Sequence, residues 1–106
     1  MAQTLDTVFE HVRALLAAPQ NGGAAPARDR LELTLTEGYA AALALDGDRM
    51  RLERRIEQLT FSFAEGDESR PEELRRLIAR LHAVEDDLAD LRALLEKLRR
   101  RAAKAA

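Results

Sequence analysis

Eight aliphatic residues towards the C-terminus recur at alternating steps of three and four, and this spacing narrows the possible folds more than any other feature. They are Leu74, Leu77, Leu81, Val84, Leu88, Leu91, Leu95 and Leu98. A 3-4 repeat that continues for more than three heptads places all its apolar side chains along one side of a helix. The pattern therefore predicts a helix over residues 70–104 whose leucine stripe packs against other helices.

Two further apolar residues widen this stripe. With Leu74 at heptad position a, Ile78 lies at e and Leu94 at g, so they flank the stripe on opposite sides. A seam between only two helices needs apolar residues at a and d alone. The wider stripe is typical of a helix that contacts more than one neighbour, as in a bundle.

The preceding segment, residues 28–65, keeps one heptad phase but mixes aliphatic, small and polar residues at the repeating positions. Those positions hold Leu31, Leu35, Gly38, Ala42, Leu45, Arg49, Leu52, Ile56, Leu59 and Phe63. Between the two segments, "EGDESRPEEL" offers Gly66 for a left-handed helix end, and Ser69 and Glu72 at the spacing of a capping box. A short turn of this kind makes the two helices antiparallel neighbours.

A turn centred near residue 67 places Phe63 near Leu74 and Leu35 near Leu98, so apolar residues face each other along the hairpin. One alternative stays open, because "RLELTL" and "LTFSF" alternate as β-strands do and would form a short two-stranded element. The charged and alanine-rich flanks and the unbroken heptad phase favour helices.

Residues 1–19 predict a shorter amphipathic helix. Its apolar face consists of Leu5, Val8, Phe9, Val12, Leu15 and Leu16. Thr4 is a suitable N-cap, and Pro19 ends the helix. Residues 20–27 contain glycines and a proline and indicate a linker. The fold class is therefore all-α: one domain with a short helix, a linker and a long coiled-coil-like antiparallel hairpin (residues 28–106), which we expect to dimerise into a helical bundle.

The stretch Asp46-Gly47-Asp48 interrupts the second segment and raises the possibility of a metal loop. A calcium loop needs oxygen ligands at alternate positions, and Met50 occupies the third of them. We therefore expect one continuous helix that tolerates Gly47 at a cost of about 1 kcal/mol relative to Ala, with a bend or a close-packing site there. Arg49 occupies a seam position. It is expected to meet Glu85 or Asp86, or to lay its stem across the seam and pair at its edge.

Little in the sequence indicates catalysis. The chain has no cysteine, and its histidines are His11 and His82. His82, Glu85 and Asp86 share one side of a helix and would supply three weak metal ligands, but His82 lies away from the stripe. We expect no enzyme activity, no cofactor and no metal.

No apolar run of about 18 residues is present, so no membrane contact is expected, and a cytoplasmic location is the default.

Two charged regions support an alternative function in transcription or nucleic-acid binding. The first is a possible basic patch at the C-terminus, formed by Lys97, Arg99, Arg100, Arg101 and Lys104. The second is the acidic hairpin tip, "FAEGDESRPEE". A hairpin with an acidic tip resembles transcription factors of the Gre and DksA type. The resemblance implies insertion of the tip into RNA polymerase to help hold a catalytic Mg²⁺. It covers only the hairpin outline and the tip, and the accompanying globular domain and zinc site of those factors are missing from this sequence.

The main functional expectation is a small soluble, non-catalytic helical module for protein–protein interaction or oligomerisation, of the adaptor or chaperone-like kind. Its partners would be a second copy of the chain and an unidentified protein, and nucleic acid is the weaker option. The residues expected to form its packing seam are Leu45, Leu52, Ile56, Leu59, Phe63, Leu74, Leu77, Leu81, Val84, Leu88, Leu91, Leu95 and Leu98.

The seam can be tested at Leu88. The change Leu88→Asp places a carboxylate in the apolar stripe, and we expect it to unfold the chain or dissociate its oligomer. Circular dichroism measures the helix content, and light scattering measures the mass. A folded chain of unchanged mass would show that the heptad register is wrong.

Overall fold

Three α-helices make up the computed structural model, which describes residues 4–19, 26–66 and 71–104. They are α1 (Leu5–Ala17), α2 (Arg28–Ala64) and α3 (Pro71–Lys104). The described residues contain no β-strand, and both strand-like stretches lie within α2. The all-α prediction is thus confirmed, and the two-stranded alternative is wrong. None of the helices in this part of the chain is long and apolar enough to cross a membrane.

The helix ends follow the capping chemistry of the sequence. The Thr4 hydroxyl accepts a hydrogen bond from the Thr7 backbone N–H at 3.3 Å, so Thr4 caps α1 as predicted. At the end of α2, Gly66 has a φ of 98° and donates its N–H to the Phe63 carbonyl at 3.0 Å. A left-handed residue after a helix favours glycine, which has no Cβ to clash. The expected capping box includes Ser69, which lies outside the described residues.

Asp46-Gly47-Asp48 lies inside α2, so the helix is continuous through this stretch, as expected. The close packing expected at Gly47 is not found there. A Cβ at Gly47 would meet the Arg51 guanidinium at 3.5 Å, an ordinary contact. Close packing occurs instead at Gly38, where a Cβ would overlap the Leu95 Cδ2 atom. Gly38 therefore lets α2 and α3 approach each other closely.

This contact also supports the register of the hairpin. The sequence places Leu35 opposite Leu98, and Gly38 and Leu95 lie three residues further along α2 and three residues back along α3. In an antiparallel pair, facing residues shift by equal and opposite steps. The Gly38–Leu95 contact is therefore the one that the predicted register requires.

The described residues divide into two compact units. The first unit contains α1, residues 28–43 of α2 and residues 89–104 of α3. Three helices surround its core, and its largest fully buried side chains are Val12, Leu31, Leu91, Leu95 and Leu98. At Leu91, Leu95 and Leu98 the α3 stripe is almost completely removed from water, whereas Leu94, one of the two residues that widen the stripe, stays half-buried.

The second unit has only two helices, residues 44–64 of α2 and 71–88 of α3. Arg55 and Glu73 link them through an ion pair of 3.0 Å between Nη2 and Oε1. Arg49 pairs within α2, with Asp46 at 2.9 Å and Glu53 at 2.9 Å. The hydrogen bonds that Arg49 donates, first to Asp46 and then to Glu53, raise the pKa of Arg49. The expected pairing of Arg49 with Glu85 or Asp86 is thus corrected to partners on its own helix.

Replacing each of the two glycines of α2 with alanine should change the stability of the chain in opposite directions. Gly38→Ala overpacks against Leu95, which is buried. Overpacking costs about 1–3 kcal/mol, which we expect to exceed the helix-propensity gain of about 1 kcal/mol. Gly47→Ala keeps that gain without a clash, so it should stabilise the chain by up to about 1 kcal/mol. Urea unfolding of both variants measures the two shifts.

Each glycine variant controls for the other, because both make the same chemical change in the same helix. If Gly38→Ala stabilised the chain as much as Gly47→Ala does, the close approach of α2 and α3 at Gly38 would be refuted.

Candidate functional site

The predicted packing seam divides into a closed part and an open part. Leu91, Leu95 and Leu98, which lie in the first unit, are almost completely buried. In the second unit, four seam residues are buried: Leu45, Leu52, Leu59 and Leu88. The remaining six are only half-buried: Ile56, Phe63, Leu74, Leu77, Leu81 and Val84. All six belong to the two-helix unit, where two helices alone cannot enclose a full apolar stripe.

One side of the second unit is covered by charged side chains. The Arg55–Glu73 ion pair joins the helices there. Asp48 pairs with Arg51, and both line a shallow cleft of about 160 Å³ together with Arg80. Another helix packing on this side would have to desolvate several charges, which is costly. This side is therefore a poor surface for apolar docking.

The opposite side of the second unit is apolar between Ile56 and the hairpin turn; one heptad before Ile56 it carries Arg49 with its ion pairs to Asp46 and Glu53. Ile56 follows Arg55 on α2, and Leu74 follows Glu73 on α3, so each is turned about 100° around its helix from the ion pair. Ile78 lies one turn beyond Leu74 and is 38% exposed. We call this surface the open strip, and it consists of Ile56, Phe63, Leu74, Ile78 and Leu81. Five half-buried or exposed apolar residues on two neighbouring helices make it the strongest candidate for binding another helix.

One member of the predicted basic patch, Arg101, is not exposed. Its side chain is buried, with 9% of the residue exposed. Nη1 donates to the carbonyl of Leu15 at 2.5 Å and to that of Leu16 at 2.7 Å, and Nη2 donates to the carbonyl of Ala18. The last carbonyls of a helix have no partner within that helix. Arg101 of α3 therefore caps the C-terminus of α1, whose own last turn has no basic residue.

The other members of the basic patch are exposed: Lys97, Arg99, Arg100 and Lys104. Arg99 and Arg100 both pair with Glu96, at 2.8 Å and 3.4 Å. The hydrogen bond from Arg99 lowers the pKa of the Glu96 carboxyl, and the same bond raises the pKa of Arg99. Nucleic-acid binding by these residues stays a prediction, now without Arg101.

The candidate metal ligands are not brought together. His82 is exposed. The Nδ1 atom of His11 lies 3.7 Å from Oε2 of Glu37. That pair lines a cleft of about 490 Å³ between α1 and α2 in the first unit. Within residues 4–19, 26–66 and 71–104, no three histidine or acidic side chains are close enough to hold a metal ion. Of the acidic tip, Asp67 and Glu68 lie outside the described residues.

Sequence reasoning missed the role of Arg101 because the residues it bonds are 83 to 86 positions away along the chain. The available signal was its heptad position. Arg101 follows Leu94 by seven residues and therefore occupies g, next to the stripe. A cation at that position in a buried part of the helix indicates a structural partner rather than a free surface charge.

If Arg101 caps α1, a substitution that keeps the length of its side chain but removes its donors should strongly destabilise the folded chain. Arg101→Met keeps the stem and removes the donors, which leaves the carbonyls at the end of α1 without their partner. We expect a loss of about 1–3 kcal/mol in unfolding free energy, together with faster amide hydrogen exchange in α1. The unfolding free energy of Arg101→Lys should lie between those of the wild type and Arg101→Met, because one ammonium group cannot form all the hydrogen bonds that the forked guanidinium donates.

The matched control is Arg100→Met, which removes the same group from an exposed neighbour. We expect it to change stability by less than about 0.5 kcal/mol. Equal effects of Arg100→Met and Arg101→Met would contradict a capping role for Arg101.

Comparison of the chain with protein-family models, with curated proteins and with solved structures finds no match.

Proposed function

We propose that this chain is a non-catalytic helical interaction module, and that its second unit binds a further helix through the open strip. The observation that carries the proposal is the incomplete burial of Leu74, Ile78 and Leu81 on α3, beside Ile56 and Phe63 on α2. Leu74 and Leu81 lie at core positions of an uninterrupted heptad repeat. Such a repeat in water is stable only when other helices cover it.

The first unit provides a comparison within the same chain. There, the same α3 repeat is fully buried at Leu91, Leu95 and Leu98, and a third helix is present. In the second unit, no described helix takes the place of α1. Full burial of one leucine or isoleucine side chain contributes about 1.5–3 kcal/mol. Covering the rest of several half-exposed side chains therefore provides a driving force of several kcal/mol for association.

The partner in this proposal supplies one or two amphipathic helices. Self-association into a homodimer is one form of it, and an adaptor or chaperone-like contact with another protein is the other form. Both use the open strip, because charged pairs cover the opposite side of the second unit.

Site-specific photo-cross-linking tests the proposal. Ile78 is replaced by p-benzoylphenylalanine in the full chain, and the cross-links are formed in the native host and with the purified protein. We expect a specific adduct, because position 78 lies in the open strip and is 38% exposed. The mass of the adduct distinguishes a second copy from another protein.

The control places the same photoreactive group at Ala79, an exposed position one residue further around α3. Position 79 is heptad position f, which points away from the stripe. An adduct at position 78 with none at position 79 supports the proposal. Equal adducts at both positions, or none at either, would refute it.

A further inference from the structure

The order of charges along α3 indicates which partner fits the open strip. Within the second unit, α3 begins with Glu72 and Glu73; after this first turn, basic residues come first and an acidic cluster follows. The basic residues are Arg75, Arg76 and Arg80, and the acidic cluster is Glu85, Asp86 and Asp87. A helix with its charges separated in this way is complementary to a second copy of itself in the antiparallel orientation.

Two of these charges lie beside the open strip. Arg75 follows Leu74 at heptad position b, and Glu85 follows Ile78 by seven residues at position e. Positions b and e both lie on the a side of the helix, where Leu74, Ile78 and Leu81 form the strip. Arg75 and Glu85 therefore flank the α3 part of the strip at its two ends.

We propose that the occupant of the open strip is a second copy of this chain, with the two α3 helices antiparallel. This inference rests on the proposed interaction function. If the helices cross between residues 79 and 80, Ile78 of one copy meets Leu81 of the other. The same crossing brings Arg75 of each copy to Glu85 of the other, so the two-fold symmetry makes both ion pairs at once. In a parallel arrangement the like charges would face each other.

The side chains of the two charged residues are available for these contacts. Arg75 has a highly exposed side chain, and its bond to Glu72 at 2.6 Å joins two residues of one helix turn on the surface. Glu85 is exposed. Exposed pairs of this kind contribute little to stability individually, but reversing them changes two attractions into two repulsions. The charges thus select the orientation, and the apolar strip supplies the affinity.

Sedimentation equilibrium of the full chain tests this arrangement through charge reversal. The wild type should form a dimer. Arg75→Glu and Glu85→Arg should each weaken the dimer by about tenfold, because every dimer then contains two repulsive contacts. An equimolar mixture of the two variants should regain wild-type affinity as a one-to-one heterodimer, since one copy is then acidic and the other basic at both positions.

The matched controls are Arg76→Glu and Asp86→Arg, which make the same charge changes at heptad positions c and f, away from the open strip. We expect both to dimerise with wild-type affinity. Circular dichroism of every variant shows that the helix content is unchanged, so a lost dimer reports a lost contact and not unfolding.

Two results would overturn the inference. One is a wild-type chain that stays monomeric throughout the micromolar range, and the other is a dimer that the reversals at Arg75 and Glu85 leave unchanged. Neither result removes the interaction function, which depends on the cross-link at position 78. An adduct with a different protein there, together with a monomeric wild type, would reject the second copy and keep the interaction module.

Discussion

The burial of the α3 leucine stripe is the constraint on which the rest of the structure depends. Eight aliphatic residues at 3-4 spacing give α3 a face that water disfavours along more than three heptads. In the first unit, α1 and α2 together remove that face from solvent. In the second unit, α2 is the only other helix among the described residues, and the stripe is half-buried at Leu74, Leu77, Leu81 and Val84, although Leu88 is buried. The number of helices around α3 thus decides which part of the chain is self-sufficient and which part has surface left for binding.

The attachment of α1 combines apolar burial with one polar anchor. Val8, Phe9, Val12 and Leu15 are buried on its inner face. Arg101 then satisfies the backbone carbonyls at the helix end, which the 13-residue helix cannot satisfy itself. A helix of this length is marginal alone in water. Its order therefore depends on contacts that α2 and α3 supply.

Most of the fold could be predicted from the sequence, because its information is local or periodic. The heptad phase predicts α2 and α3, and the Thr4 cap and the left-handed Gly66 mark helix ends that the structure confirms. The contacts that could not be predicted depend on distances between side chains. Arg49 found nearer acidic partners on its own helix than across the seam. Gly38 rather than Gly47 became the close-packing glycine, because Leu95 occupies the space in front of it. The open strip was only partly foreseen, since a heptad pattern shows which residues need burial but not how many helices are there to bury them.

The anchor formed by Arg101 has a consequence for how the protein responds to salt. Arg101 is buried and its hydrogen bonds go to backbone carbonyls, so dissolved ions screen them little. The Arg55–Glu73 ion pair of the second unit joins two partly exposed side chains, and ions in solution screen such a pair. High salt therefore weakens this electrostatic link between the two helices of the second unit and leaves the polar anchor of α1 intact.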